Sequence, residues 1–308
     1  MKNNNNVIPI FFATDQKYVP LLSVALTSLT MNASKNYKYN IHILHSGLSK
    51  RTIEELNAFN SDVFSIIYSN VSEKLEKVSS TLQTRDYYSK TTYYRFFIRS
   101  LFPEYDKALY LDCDIVVLGD ISKFYNIDLK DNYLGAVREQ VVNSVEAFRE
   151  YSRKVLHLEP KKYFNAGILL LNLDKMRNDK IDDVIFSMLA QYGFDTIAQD
   201  QDYLNYVAKG KVKEVDLSWN KEPIKDGYKK VPNLIHYAYF RKPWQNPVLK
   251  YGKYFWEYAK LTKYYDYFDN LRKEYTEQNK ISDILAHQSL VKRAKKIIAE
   301  ANTFAFVL

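Results

Sequence analysis

The chain has a single cysteine, Cys113, among its 308 residues, which excludes an intramolecular disulfide and fits a reducing compartment. Glycine is scarce as well: eight in all, against a usual share of about 7%, so each carries more information than usual. No stretch approaches the ~18 consecutive apolar residues of a membrane span. The apolar run at residues 7–13 is too short for a secretory h-region, and no small-residue cleavage site follows it. These absences point to a cytoplasmic protein, with room for peripheral contact at the inner face of a membrane.

What is abundant is aromatic: 27 Tyr and 17 Phe. The hydrophobic share of 46% and charged share of 26% are those of a globular protein with a sizeable core. Net charge is +8, and the last third of the chain holds most of the excess. Such a balance admits nucleic acid, a membrane surface or an anionic small substrate. The basic residues cluster near the C-terminus, however, while the motif-bearing region is rich in aspartate, which repels a phosphate backbone. Nucleic acid is therefore not an expected partner.

Along the chain, the apolar run 7–13 reads as a strand buried on both faces. Residues 19–31 have apolar positions at helical spacing. "YKYNIHILHSG" returns to strand and Gly47 closes it; "SKRTIEELNAFN" reads as a helix with Ser49 as N-cap; "FSIIYSN" is again strand. This alternation predicts βαβ units and a parallel sheet. "YSKTTYYRFFIRSLF" reads as a helix stopped by Pro103, and "KALYL", "NYLGAV" and "NAGILLLNL" as strands. "DQDYLNYVAKG" reads as a helix closed by Gly210. From about residue 250 lysine and aromatics alternate at helical spacing. Residues 281–301 place Ile281, Ile284, Leu285, Val291, Ala294, Ile298 and Ala301 along one side, with Lys292, Arg293, Lys295 and Lys296 opposite. The division expected is a catalytic domain over 1–248 and a small helical, basic and aromatic C-terminal region over 249–308.

The run "KALYLDCDIVVLGD" sets Asp112 and Asp114 inside apolar sequence. Burying charge is costly unless it is paired or bound to a metal. With 36 acidic residues, roughly four acid-x-acid pairs arise by chance, so the bare pattern is weak. Indeed Glu104/Asp106, Asp200/Asp202 and Glu214/Asp216 are others. The pair at Asp112 differs in directly following a buried strand, and parallel sheets bind ligands beyond the carboxyl ends of strands. Residues i and i+2 of an extended chain point the same way, so two carboxylates face one point and suit a hard divalent cation. A solvated turn remains the alternative on these residues alone.

"TTYYRFFI", "DKALYLDCDIVVLGDI", "LGAV", "YFNAGILLLNL", "QDQDYLN" and "HYAYFRKPW" occur in that order. Together they resemble family 8 glycosyltransferases, the group of lipopolysaccharide galactosyl- and glucosyltransferases and of glycogenin, over residues 7 to about 245. The resemblance implies an α/β fold of the GT-A type, a Rossmann-like mixed sheet flanked by helices that binds a nucleotide. It implies a retaining hexosyltransferase that uses UDP-glucose or UDP-galactose with Mn²⁺ (or Mg²⁺) and acts on a saccharide or glycolipid acceptor, in the synthesis of lipopolysaccharide or another cell-envelope polysaccharide.

By the same resemblance Asp112, Asp114 and His236 are metal ligands and Lys242 contacts the diphosphate; Cys113, whose side chain should point away from the two carboxylates, reads as filler. Ala13, Thr14, Asp15 and Tyr18 form the uridine loop, with Tyr18 stacking on uracil; Lys17 departs from the asparagine of a related enzyme. Arg95, Asn165, Ala166 and Asp200 line the donor sugar, and Gln201 lies at the β-face of the anomeric carbon. Glu139 orients the acceptor. Asp200 and Gln201 make up the reaction centre. An amide is a poor nucleophile, which favours front-face attack over double displacement. Tyr239 stands where the family usually has glycine, implying a changed loop or a lost phosphate contact. Two other activities share such a site: a metal-dependent UDP-sugar hydrolase and a self-glucosylating protein like glycogenin. For the basic C-terminal helices, a solvated face competes with attachment to an anionic bilayer.

Overall fold

The computed structural model describes residues 6–78, 82, 90–246, 248–300 and 302–307. Among them are nine strands: β1 (Val7–Ala13), β2 (Lys38–His45), β3 (Phe64–Asn70), β4 (Lys107–Leu111), β5 (Ile115–Val117), β6 (Leu134–Arg138), β7 (Phe164–Asn172), β8 (Val212–Glu214) and β9 (Leu234–His236). The chain divides into two compact units. The first comprises Met1–Ser69, Leu111–Ile127 and Asp216–Ile284; the second comprises Asn70–Tyr110, Asp128–Val215 and Leu285–Leu308.

In the first unit the strands lie in the order β3-β2-β1. β1 and β2 are parallel, with Val7 opposite Lys38 and Ala13 opposite Leu44. Ile8, Ile10, Phe11 and Phe12 are completely buried, as a continuous apolar strand requires. Parallel neighbours need a crossover, supplied by the helix Val19–Asn32. Pro20 sits in its first turn, where a missing N–H leaves no hydrogen bond unmade. Ser49 caps the helix Lys50–Leu56, its hydroxyl accepting from the Thr52 N–H at 3.1 Å. The strand, helix and cap expected for residues 7–70 are all present.

A two-stranded antiparallel ribbon, β5 with β9, completes this unit. Its register sets Ile115 opposite His236 and Val117 opposite Leu234. The Asn233 carbonyl accepts from both Leu118 N–H and Gly119 N–H at 2.8 Å. A Cβ on Gly119 would lie 2.5 Å from Asn233 Oδ1, and Asn233 Nδ2 is already donating to Ser218 Oγ at 2.8 Å. Gly119→Ala is therefore expected to destabilise the protein by about 1–3 kcal/mol, measured by urea unfolding, because the clash falls on a tethered side chain.

In the second unit the order is β4-β7-β6-β8. β6 is antiparallel to β7 and parallel to β8, so the pairing is mixed. β7 is buried from Phe164 to Leu171, Asn165 included, and its apolar run is Ile168 to Leu171. Gly210 takes φ +74° just beyond the helix Gln199–Val207, a conformation that glycine adopts without steric cost.

The helix expected over residues 88–102 differs; its first two residues lie outside the described set. The chain forms a 3₁₀ helix over Lys90–Phe97 and only a short α-helix over Ile98–Leu101. Arg95 Nε donates to the Thr92 carbonyl at 2.9 Å, using the acceptor that an α-helix would offer to residue 96. Threonine and aromatics are also weak helix formers.

The helix Glu277–Ile298 also departs from the pattern. Ala294 and Ile297 are buried, but Ile281, Ile284 and Leu285 are exposed. Arg293 does not belong to the solvated side: its Nη2 meets Asp195 Oδ1 at 2.5 Å. No helix among the described residues is long and apolar enough to cross a membrane.

Candidate active site

In the first unit, the β5–β9 register carries His236 beside the residue that precedes Ile115, namely Asp114. Tyr237 N–H donates to the Asp114 carbonyl at 2.9 Å, fixing that approach. His236 Nε2 lies 3.2 Å from Asp114 Oδ1 and 3.8 Å from Asp112 Oδ2. Ligand atoms of Asp112, Asp114 and His236 all fall within 4.8 Å of one another. Two carboxylates and one imidazole form a donor set suited to a hard or borderline divalent cation such as Mn²⁺ or Mg²⁺.

Imidazole orientation is set from behind. His236 Nδ1 is 3.0 Å from Asn220 Oδ1, a carbonyl oxygen that only accepts. Nδ1 then carries a proton, which leaves Nε2 as the nitrogen facing the two aspartates and the one that would offer its lone pair to a bound cation. Residue 221 pairs with the same strand: Lys221 N–H donates to the Leu234 carbonyl at 3.0 Å, and His236 N–H to the Lys221 carbonyl at 3.1 Å. Asn220 was not visible in the sequence as a site residue, because its role depends on this pairing.

Lys242 converges on the same carboxylate. Its ammonium is 2.5 Å from Asp114 Oδ2 and 2.7 Å from the Tyr237 carbonyl. Burial alone would push the Asp114 carboxyl up; the charges of Lys242 and His236 outweigh it and hold the group well below the usual carboxylate range. Three residues before Lys242, Tyr239 has φ +56°. This is a backbone conformation that glycine favours, and tyrosine occupies it at a steric cost of roughly 1–2 kcal/mol.

The loop after β1 lies against this centre through Cys113, whose thiol donates to the Ala13 carbonyl at 3.2 Å. Cys113 is therefore more than a spacer: it ties the Asp112–Asp114 turn to the 13–18 loop. Burial pushes its thiol pKa up, and the neighbouring aspartates add to this. Thr14 is wholly buried. Asp15 Oδ1 accepts from the N–H groups of Lys17 (2.9 Å) and Tyr18 (3.1 Å), closing the turn that starts the helix. Tyr18 is 40% exposed, while burial and the nearby carboxylates of Asp114 and Asp112 push its hydroxyl pKa up.

In the second unit, four of the expected residues meet. Arg95 Nε lies 3.0 Å from Asp200 Oδ2, with both side chains almost fully buried. Arg95 Nη1 donates to the Ala166 carbonyl, and the guanidinium sits 4.3 Å over the Tyr110 ring. Gln201 Oε1 accepts from Ala166 N–H at 2.8 Å, and Gln201 Nε2 donates to the Tyr163 hydroxyl at 3.0 Å. Asn165, the residue between Phe164 and Ala166, accepts from Gly167 N–H at 2.9 Å. The carboxylate that partners Arg95 is thus Asp200 of QDQD, a pairing that spans 105 positions and left no local signal.

Glu139 is completely enclosed. Its Oε2 accepts from Val142 N–H at 2.5 Å, and Oε1 has no hydrogen-bond partner among the described residues.

An α/β fold with a parallel β1–β2 pair, and an Asp-x-Asp turn facing a histidine beyond the strand ends, is an arrangement of the GT-A glycosyltransferase type. Residues 9–247 match the model of glycosyl transferase family 8, and the chain belongs to that family. It is 31% identical over 230 residues to a chain from Haemophilus influenzae named as a glycosyltransferase, covering 73% of this chain and 67% of that one. It is 27% identical over 274 residues to the lipopolysaccharide 1,2-glucosyltransferase of Escherichia coli, covering 82% and 78%. Across the first three curated relatives the chain spans 67%, 34% and 78% of their lengths. Among solved structures, the galactosyltransferase LgtC, in complex with donor and acceptor sugar analogues, superimposes with a TM-score of 0.71 at 27% identity, over 83% of this chain and 96% of that one.

Proposed function

We propose that the protein is a retaining hexosyltransferase that moves glucose or galactose from a UDP-sugar to a saccharide or glycolipid acceptor. The observation that carries this reading is the convergence of Asp112, Asp114 and His236, with Lys242 on the same carboxylate. Asp112, Asp114 and His236 would hold a divalent cation, which would supply positive charge against the departing diphosphate. Lys242 supplies a point charge for a phosphate oxygen. Tyr18, 40% exposed at the start of its helix, stacks on uracil, and the closed turn at Asp15 holds it there.

In the second unit, Arg95 fixes Asp200, and Asp200 with Asn165 and Ala166 receives the sugar hydroxyls. Gln201 is pinned at both ends of its amide. It cannot swing to act as a nucleophile, and as an amide it is a poor one. The acceptor hydroxyl therefore enters on the face that UDP leaves, its proton passing to the departing phosphate oxygen. The second lone pair of the Gln201 carbonyl oxygen stabilises positive charge at the anomeric carbon. The catalytic domain is assigned to residues 1–248. The 249–308 region, with Ile281, Ile284 and Leu285 exposed, is assigned to peripheral contact with an anionic bilayer.

The test is incubation with UDP-glucose or UDP-galactose, Mn²⁺ and a panel of saccharide acceptors, with proton NMR of the product. UDP release with an α-linked product from the α-linked donor supports the reading. A β-linked product, or UDP release unaffected by every acceptor, opposes it. For the metal centre, Asn220→Ala should weaken Mn²⁺ binding about 10–100-fold by electron paramagnetic resonance titration, because His236 loses the partner that orients it.

A further inference from the structure

The second aspartate of QDQD has no part in the reading above. Asp202 is completely buried. Its carboxylate nonetheless collects four hydrogen bonds. Oδ2 accepts from the Tyr151 hydroxyl (2.9 Å), Ile197 N–H (3.0 Å) and Ala198 N–H (3.1 Å). Oδ1 accepts from the Tyr163 hydroxyl at 2.5 Å.

Resting on the assignment of Gln201 to the reaction centre, we propose that Asp202 is a positioning residue that sets the orientation of the Gln201 carboxamide through the Tyr163 hydroxyl. Proton direction makes the link. Burial pushes the Asp202 carboxyl up to about 6, against the four donors, so at neutral pH it is a carboxylate that only accepts. The one proton of the Tyr163 hydroxyl must then point at Asp202. Its oxygen is left to accept, and the group it accepts from is Gln201 Nε2, at 3.0 Å. At the other end Ala166 N–H can only donate, so it demands Gln201 Oε1, at 2.8 Å. One acceptor-only group and one donor-only group thus leave a single orientation of the amide without a clash. The substitution Asp202→Asn removes this logic while keeping the shape. The NH₂ group it introduces would donate to the Tyr163 oxygen, and the tyrosine proton would turn toward Gln201. Gln201 would then have to flip its own NH₂ against Ala166 N–H.

The experiment uses the full chain labelled with [¹⁵N]glutamine. The Gln201 side-chain signal is identified by its loss in Gln201→Ala, and Asp202→Asn and Tyr163→Phe are compared with wild type. Melting temperatures check folding, and Tyr163→Phe, which keeps the ring, decides the matter if Asp202→Asn does not fold. Both variants should displace or exchange-broaden the Gln201 amide signal. They should lower kcat by about 10²-fold, the cost of a misplaced reacting group, with donor KM unchanged. In a Gln201→Ala background, Asp202→Asn should cause no further loss, because it acts through the missing side chain. An unmoved Gln201 signal, or losses that multiply in the double variant, overturns the proposal. If wild type turns over no UDP-sugar, the donor assignment falls instead, and the amide signal still decides whether Asp202 orients Gln201.

Discussion

Asp114→Asn is expected to abolish the metal-dependent part of UDP binding, lowering affinity measured in Mn²⁺ by more than about 100-fold, since even partners behind a metal ligand cost 10–100-fold when lost. The substitution keeps the shape of the side chain, so the loss reports chemistry rather than packing. It removes one anionic ligand and leaves Lys242, 2.5 Å away, without its counter-charge. A second consequence concerns acid. The Asp114 carboxyl is held below its ordinary value in the folded state, so the folded protein releases this proton more readily than the unfolded chain. Its contribution to stability is complete above about 3.9, the unfolded value, and is lost as the pH falls through the lowered folded value. Without added metal, the gap in melting temperature between wild type and Asp114→Asn should therefore close in strong acid. A gap that widens on acidification would place the stabilising charges elsewhere.

Arg95→Ala should destabilise the protein by about 3–5 kcal/mol, the usual penalty for leaving a buried charge without its partner. Arg95 and Asp200 have side-chain exposures of 6% and 5%, so water cannot take over from either. The pair also closes a loop of contacts, since Arg95 reaches the Ala166 carbonyl while Ala166 N–H holds Gln201. The double variant Arg95→Met with Asp200→Leu separates two roles. Replacing a buried ion pair with apolar residues of similar size is often neutral for stability. The double variant should regain most of the lost stability, as read by urea unfolding, while turnover stays absent. Recovery of activity along with stability would mean that the pair serves the fold alone.

Much of the architecture was legible because short apolar runs leave little choice. "VIPIFFA" and "ILLLN" can only be buried strands between helices, and they are β1 and the end of β7. Ser49 as N-cap and Gly210 as helix terminator follow from local chemistry, and local chemistry was sufficient for both. The 90–97 segment was misread because its backbone conformation answers to a distant partner. Arg95 must meet Asp200, and its guanidinium takes the Thr92 carbonyl on the way. Asn220 and Tyr163 were invisible for a related reason. Each matters through what it does to a neighbour, His236 or Gln201, and such relations appear only once β9 and β7 are in register. Tyr239 shows the reverse: its departure from glycine is plain in the sequence, but only the structure shows that residue 239 takes a φ of +56°, in the region that glycine enters most easily.

The central claim is that Asp112, Asp114 and His236 hold a cation on which nucleotide binding depends. Calorimetric titration of wild-type protein with UDP, in Mn²⁺ and again in excess chelator, tests it most directly. The account predicts strong binding with Mn²⁺ and a loss of at least about 100-fold in chelator. Equal affinity in both would contradict it.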